Sequence, residues 1–371
     1  MKILIGGDYV PINRVRDLFL QEKYDIVFHE LRRFTNEADY SIINLECPVC
    51  YGGEEPIEKS GPNISCSKNE IEALRWAGIN CVTMANNHIL DFGGKGVINT
   101  IKTCHELGID TVGGGEFLAK ASETLYKDIQ GNKLAIINCC EQEFNIATKH
   151  SAGANPLNPV RQYYSIKEAR NRADYVIVIV HGGFEHYQLP GERMQEVYRF
   201  FIDAGANAVL NHHQHCFSGY EVYNGCPIFY GLGNLCFDKN YGGTNLWHEG
   251  YMVLLTLDHN ISYKIIPYEQ CKDKPSVIIV DNDIYTDRLT RLSEIIANPD
   301  LLANENEKYF QSRKEYSKNL FNPIVNRYIN FLQRKGIIPS FISKKWLLKL
   351  QNNIVCESHL DKLKYYFNNK D

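Results

Sequence analysis

The feature that most constrains this chain is a series of short apolar runs that stop at metal-capable side chains instead of ordinary turn residues. Ile3-Leu4-Ile5 leads to Gly6-Gly7-Asp8, and Tyr40 to Ile43 leads to Asn44-Leu45-Glu46. Cys81 to Met84 precedes Asn86-Asn87-His88 and Asp91; Val176 to Val180 precedes His181-Gly182-Gly183; Ala208 to Asn211 precedes His212-His213-Gln214-His215. Runs of this length are strands, and uninterrupted apolar ones suit a sheet buried on both faces. An imidazole or carboxylate closing such a strand is costly unless it is paired. Polar groups at the carboxyl ends of buried strands therefore predict a shared crevice.

Amphipathic stretches alternate with the strands. Helices are expected over Lys68 to Ala77, Lys95 to Leu107, Ser165 to Ala173 and Glu192 to Ala204, between strands at Ile3 to Gly7, Tyr40 to Leu45, Cys81 to Met84, Leu134 to Asn138, Tyr175 to Val180 and Ala208 to Asn211. Gly131-Asn132, Asn224-Gly225 and His259-Asn260 read as hairpin turns. Hairpins mixed with β-α units predict two packed mixed sheets flanked by helices, an α/β fold but not a simple doubly wound sheet. Beyond Asn298 the chain turns rich in Lys, Asn, Tyr and Leu, with helical patterns over Glu307 to Leu332 and Lys344 to Phe367. The expected organisation is a main domain over residues 1–297 and a helical C-terminal appendage over residues 298–371.

Charge and cysteine usage narrow the function. Forty basic against 44 acidic residues leave a net charge of -4, so no general field draws the chain to nucleic acid. No run approaches the ~20 apolar residues of a membrane span, and no signal peptide is apparent, which predicts a cytoplasmic protein without a transmembrane segment. The 12 cysteines are scattered, several inside strand-like runs, and reduced thiols are expected. Cys47-Pro48-Val49-Cys50 lacks the second pair of a zinc finger.

Carboxylate oxygen, amide oxygen and imidazole nitrogen together suit Mn, Fe or Zn in a dinuclear centre with open positions for water. His213 and His215 are read as alternating on an extended segment, so that both rings point to one side.

These blocks, in order, resemble a known family. They are Gly7-Asp8; Asn44-Leu45-Glu46-Cys47-Pro48; Ala85-Asn86-Asn87-His88-Ile89-Leu90-Asp91-Phe92-Gly93; His181-Gly182-Gly183-Phe184-Glu185-His186-Tyr187; Asp203-Ala204-Gly205-Ala206-Asn207; His212-His213-Gln214-His215; and Gly231-Leu232-Gly233-Asn234-Leu235 with Phe237-Asp238. The chain is similar, over roughly Met1 to Asp238, to bacterial capsule and poly-γ-glutamate synthesis proteins of the CapA/PgsA type. Their domain is related to calcineurin-like metallophosphoesterases. The resemblance implies a four-layer α-β-β-α sandwich.

It also implies site roles. Asp8 would bind one metal and Glu46 would bridge both; Asn87, His181 and His213 would complete the second metal, and His215 the first. His88 would be the general acid, with Asp91 either orienting it or capping a helix. Glu185 and His186 are substrate-binding or supporting candidates. Two departures stand out: Tyr9 and Val10 follow Asp8 where the phosphoesterase pattern has Asp-x-His, and Glu46 replaces the usual aspartate. The first site is expected to be the weaker.

The implied function is a metal-dependent hydrolase or transferase of capsule or poly-γ-glutamate-like polymer biosynthesis. Hydroxide generated on the metals would attack a phosphoester or a γ-glutamyl-type amide. The alternative is a non-catalytic assembly factor of a capsule polymer synthase. Expected partners are an anionic polymer or small-molecule substrate and capsule synthesis proteins. Lys59, Gln188-Leu189-Pro190, Arg14, Arg16 and Arg161 are candidates for substrate contact.

Overall fold

The computed structural model describes residues 1–239, 245–280, 283–314, 327–337 and 343–368. In chain order the strands are β1 (Lys2–Val10), β2 (Tyr40–Leu45), β3 (Cys81–Thr83), β4 (Asp110–Val112), β5 (Gly114–Gly115), β6 (Leu125–Ile129), β7 (Asn132–Cys140), β8 (Gly153–Ala154), β9 (Tyr175–His181), β10 (Ala208–His212), β11 (Tyr220–Tyr223), β12 (Cys226–Phe229), β13 (Asn234–Phe237), β14 (Glu249–Thr256), β15 (Ser262–Gln270) and β16 (Val277–Ile279). One mixed sheet runs β16-β15-β14-β1-β2-β3-β4, with β13 also paired to β1. A second runs β11-β12-β10-β9-β7-β6, and β5 pairs with β8 in a small two-stranded sheet. All three expected hairpins are present: β6 with β7, β11 with β12, and β14 with β15.

Side chains alternate across a strand, and that alternation builds the layers. Ile3, Ile5 and Ile42 of the first sheet meet Ile136, Ile177, Ile179 and Leu210 of the second in one buried cluster. Their neighbours Leu4, Ile43 and Val82 face outward onto Phe19, Leu74 and Val97 of helices Arg14–Leu20, Lys68–Trp76 and Gly93–Glu106. Across the molecule Val176, Val178 and Val180 pack on Ile166, Tyr198 and Phe201 of helices Pro159–Arg172 and Glu192–Ala204. The result is the four-layer helix-sheet-sheet-helix order that the resemblance implies. Because β9 is covered on both faces, its interior tolerates no polar residue.

Two helices begin earlier than their periodicity indicates. Gly93 opens the helix expected from Lys95, and Asn158 caps the helix expected from Ser165, accepting from Arg161 N before Pro159. Proline fits the first turn because its missing N–H would have had no helical partner.

The C-terminal region contains helices Asp283–Ala297, Pro299–Ser312, Arg327–Arg334, Lys344–Val355 and Glu357–Asn368. The helix expected over Glu307 to Leu332 falls partly on residues 315–326, outside the described residues, and its first portion begins earlier, at the Asn298 cap. The last helix docks on the segment after β7: Gln142 N donates to Glu357, the Ser358 hydroxyl to Glu141, and Arg193 to both Glu141 and Asp361. Among the described residues no helix is long and apolar enough to cross a membrane, and all 12 cysteines are unpaired.

Candidate metal centre

Parallel pairing brings the polar strand ends together. Asp8 of β1 is in register with Asn44 of β2 and Asn234 of β13, while His181 of β9 lies opposite Cys140 of β7 and His212 of β10. Gly7 makes the approach of β13 feasible, since a Cβ there would lie 1.9 Å from the Gly233 carbonyl oxygen. The Asn86-Asn87-His88 turn is anchored from the second sheet: Asn138 accepts from Ala85 N at 2.7 Å, and Asn145 donates to the Asn86 carbonyl at 2.9 Å.

At the edge so formed, His181 Nε2 faces three electron-rich atoms. Asn87 Oδ1 lies at 3.0 Å, His213 Nδ1 at 3.1 Å and Glu46 Oε1 at 3.4 Å. A proton on Nε2 serves one of them, whereas a cation serves all. Asp8, Glu46 and His215 form a second donor set, with ligand atoms within 4.8 Å of one another. His215 Nδ1 stands 3.7 Å from Asp8 Oδ2, and its Nε2 3.8 Å from Glu46 Oε1. Glu46 belongs to both sets, as a bridging ligand must.

The residues fit a divalent pair on one observation above all: Glu46 is fully buried and neither carboxylate oxygen has a hydrogen-bond partner. Burial, then the charges of Asp8 and Glu185, push its pKa well above the ordinary carboxylate range. Such a group is costly unless cations neutralise it. His181 is driven the other way, by burial and then by His213 and the neighbouring histidines, which favours the neutral form that metal ligation requires.

Several supporting residues were not distinguished from the sequence. Asn44 donates to Asp8 Oδ1 at 2.8 Å and lies 3.2 Å from His181 Nδ1, tying the two donor sets together. That second contact suits the Nε2–H form of His181, so ligation through Nε2 requires its proton to move to Nδ1. Asn234 Oδ1 holds His215 Nδ1 at 2.9 Å. Asn44 lies at the end of β2 and Asn234 opens β13, and their sequence signal is a place in the motif blocks beside the ligands.

Tyr9 turns away from the centre, and Val10 adds an apolar side chain beside it. The Tyr9 hydroxyl donates to the Glu70 carbonyl at 2.7 Å, and Val10 packs with Phe237 and Trp247, whose rings also contact His215. An apolar wall thus stands where the phosphoesterase pattern places another imidazole.

His88 is buried beside the donor sets, with Nδ1 2.7 Å from Asp91 Oδ2 and 3.2 Å from Lys59 Nζ. Lys59 also pairs with Asp91 Oδ1. Asp91 is not a helix cap: Phe92 occupies that position in helix Gly93–Glu106, without a side-chain bond. Orientation of His88 is the role its contacts support.

Glu185 stands exposed at the rim. Desolvation opposes its charge, but His213, His215, His186 and His359 outweigh it and hold the carboxyl down at about 2. His186 adopts φ 60°, and its backbone N–H donates to the Gln214 carbonyl at 2.8 Å.

Three expectations need correction. His213 and His215 are not alternating strand residues: β10 ends at His212, and their φ values are 93° and 54°. Left-handed turns aim the rings, a strained arrangement for residues with a Cβ. Arg14 and Arg16 are committed to Asp238 and Glu70, and Gln188 donates to the Phe217 carbonyl, so these are internal contacts instead of a substrate wall. Arg161 lies at the start of helix Pro159–Arg172.

Comparison with known proteins supplies the family. Residues 2–239 match the model for "Bacterial capsule synthesis protein PGA_cap". The chain is 31% identical over 246 residues to the capsule biosynthesis protein CapA of Bacillus anthracis, covering 64% of this chain and 60% of that protein. It is 30% identical over 241 residues to the PGA biosynthesis protein CapA of Bacillus subtilis (strain 168), covering 64% and 63%. The chain thus spans about three fifths of the length of these relatives. Among solved structures, a putative 5'-nucleotidase of Staphylococcus aureus aligns with a TM-score of 0.47 at 14% identity, over 78% of this chain and 58% of that one. With its ordered motifs and the match across residues 2–239, the chain belongs to the bacterial capsule synthesis family PGA_cap.

Proposed function

We propose that this chain is a metal-dependent hydrolase or transferase of surface-polymer biosynthesis, acting on a phosphoester or γ-glutamyl-type amide of an anionic, poly-γ-glutamate-like substrate. The observation that carries the reading is Glu46, a buried carboxylate with two orphan oxygens at the junction of two donor sets. A bound Mn, Fe or Zn pair would acidify water and offset negative charge developing on the substrate. The rest of the chemistry falls to the chain. Asp8, Glu46 and His215 would hold one ion; Glu46, Asn87, His181 and His213 the other. His88 would give a proton to the departing oxygen or nitrogen, with Asp91 keeping its ring oriented and Lys59 compensating the Asp91 charge. Glu185 and His186 would contact substrate at the rim.

A second reading is a non-catalytic assembly factor for a polymer synthase, partnered with other capsule synthesis proteins. The apolar wall of Val10, Phe237 and Trp247 favours it, because the first metal then has one imidazole, from His215. Metal content and turnover separate the readings. The enzyme reading expects nearly two Mn, Fe or Zn ions per chain at the Asp8/Glu46 centre and hydrolysis in a screen of phosphomonoesters, phosphodiesters and γ-glutamyl amides with Mn. A folded protein that takes up no metal there would support the assembly role.

A further inference from the structure

A separate donor set lies where the C-terminal helices meet the segment after β7. Cys356 links helix Lys344–Val355 to helix Glu357–Asn368, and His359 stands in the first turn of the latter. Both face Glu143, which follows β7. Cys356 Sγ is 3.3 Å and His359 Nε2 3.6 Å from Glu143 Oε1, and the three ligand atoms lie within 4.8 Å of one another. Tetrahedral zinc with Zn–S of ~2.3 Å and Zn–N or Zn–O of ~2.0 Å places its ligand atoms about 3.3–3.5 Å apart. The separations of Cys356 and His359 from Glu143 suit one ion between the three donors.

Asn352 is an independent pointer. It is buried, its Oδ1 has no partner, and its Nδ2 lies 3.3 Å from His359 Nδ1. Exchanging the amide oxygen and nitrogen gives Oδ1 a partner in an Nδ1–H of His359. That tautomer leaves the Nε2 lone pair directed toward Glu143, as a ligating histidine requires. The nearby carboxylates of Glu141 and Glu357 are already engaged, by Arg193 and Ser358 and by Gln142 N respectively.

We infer that Glu143, Cys356 and His359 form a divalent-cation site for zinc or another thiophilic ion, distinct from the Asp8/Glu46 centre, with its fourth position open to water. Thiolate, carboxylate and neutral imidazole balance the charge of one divalent ion. Capture of the ion breaks the Cys356 S–H bond, releases that proton to solvent and forms a sulfur–metal bond, with no change of oxidation state. The site clamps the C-terminal helices to the main fold, beside Glu185 at the rim of the other centre.

The two centres are spectroscopically distinguishable, because this one contains a thiolate. Cobalt(II) titrated into metal-stripped full-length protein should produce a near-ultraviolet thiolate-to-cobalt charge-transfer band. The band should disappear in Cys356→Ser and persist in Glu46→Gln. His359→Asn and Glu143→Gln, which retain the thiol, should weaken cobalt binding read at this band at least tenfold, and Asn352→Ala should weaken it by about 10–100-fold. Absence of the band in folded wild-type protein, or its survival in Cys356→Ser, overturns the inference. If Cys356→Ser does not fold, unchanged cobalt affinity in both His359→Asn and Glu143→Gln overturns it equally.

Discussion

His181 Nε2 and His213 Nδ1 face each other at 3.1 Å across 32 residues of sequence, with Glu46 Oε1 3.4 Å from the same His181 atom. Two ring nitrogens and a carboxylate at these distances share one proton poorly and one cation well. The contact between strand β9 and the turn after β10 is therefore the middle of the candidate metal site.

Removing the bridging charge should weaken the response of the protein to metal. Glu46→Gln should melt at a higher temperature than metal-stripped wild type, because a buried charge beside Asp8 is lost. Manganese should stabilise wild type by about 2.7 kcal/mol at 100 times its dissociation constant and Glu46→Gln by far less. Thermal melts with and without Mn check both halves, and an equal Mn response in the two proteins refutes the bridging role.

Proton delivery should separate from metal retention. His88→Ala should lower turnover by about 10²–10⁴-fold while the Asp8/Glu46 centre keeps its ions. Asp91→Asn should produce a smaller loss, because it disturbs the orientation of His88 and leaves the Lys59 charge uncompensated. Turnover measured beside metal analysis tests this; loss of the ions in His88→Ala would assign that residue to the ligand set instead.

Asn44 should matter although it is no expected ligand. Asn44→Ala frees Asp8 Oδ1, which the Asn44 amide holds at 2.8 Å, so metal affinity should fall about 10–100-fold. Competition with a chelator gives the number, and wild-type affinity would mean that the asparagine only fills space.

Gly7 tests the backbone beneath the site. The Cβ of Gly7→Ala would meet the carbonyl oxygen of Gly233, just before β13, which cannot rotate aside as a side chain can. Destabilisation of about 4 kcal/mol or more is expected, with Asp8 and Asn234 forced apart. Gly131→Ala is a milder control, since its tight turn has open space around the new methyl although its φ of 83° is strained. Denaturant melts rank the two, and equal stability would contradict the close approach of β1 and β13.

Most of the fold was legible because strand and helix are local patterns. The uninterrupted run Val176 to Val180 announced a doubly covered strand, and Gly131-Asn132 and Asn224-Gly225 announced hairpins. Helix starts at Gly93 and Pro159 were less visible, since a first turn contributes little to the apolar face. Identities of the candidate ligands were legible too, because carboxylates and imidazoles at apolar strand ends need a partner wherever they lie.

The sequence by itself determined the layered α/β character, the strand-end placement of Asp8, Glu46 and His181, and the family. Only the tertiary structure decided that His213 and His215 reach the centre through left-handed turns, that Asp91 pairs with His88 instead of capping a helix, and that Glu143 meets Cys356 and His359. Periodicity is written within a few residues and survives in one dimension. The direction of a ring on a strained backbone, or the meeting of residues 213 positions apart, depends on the packing of whole layers against one another.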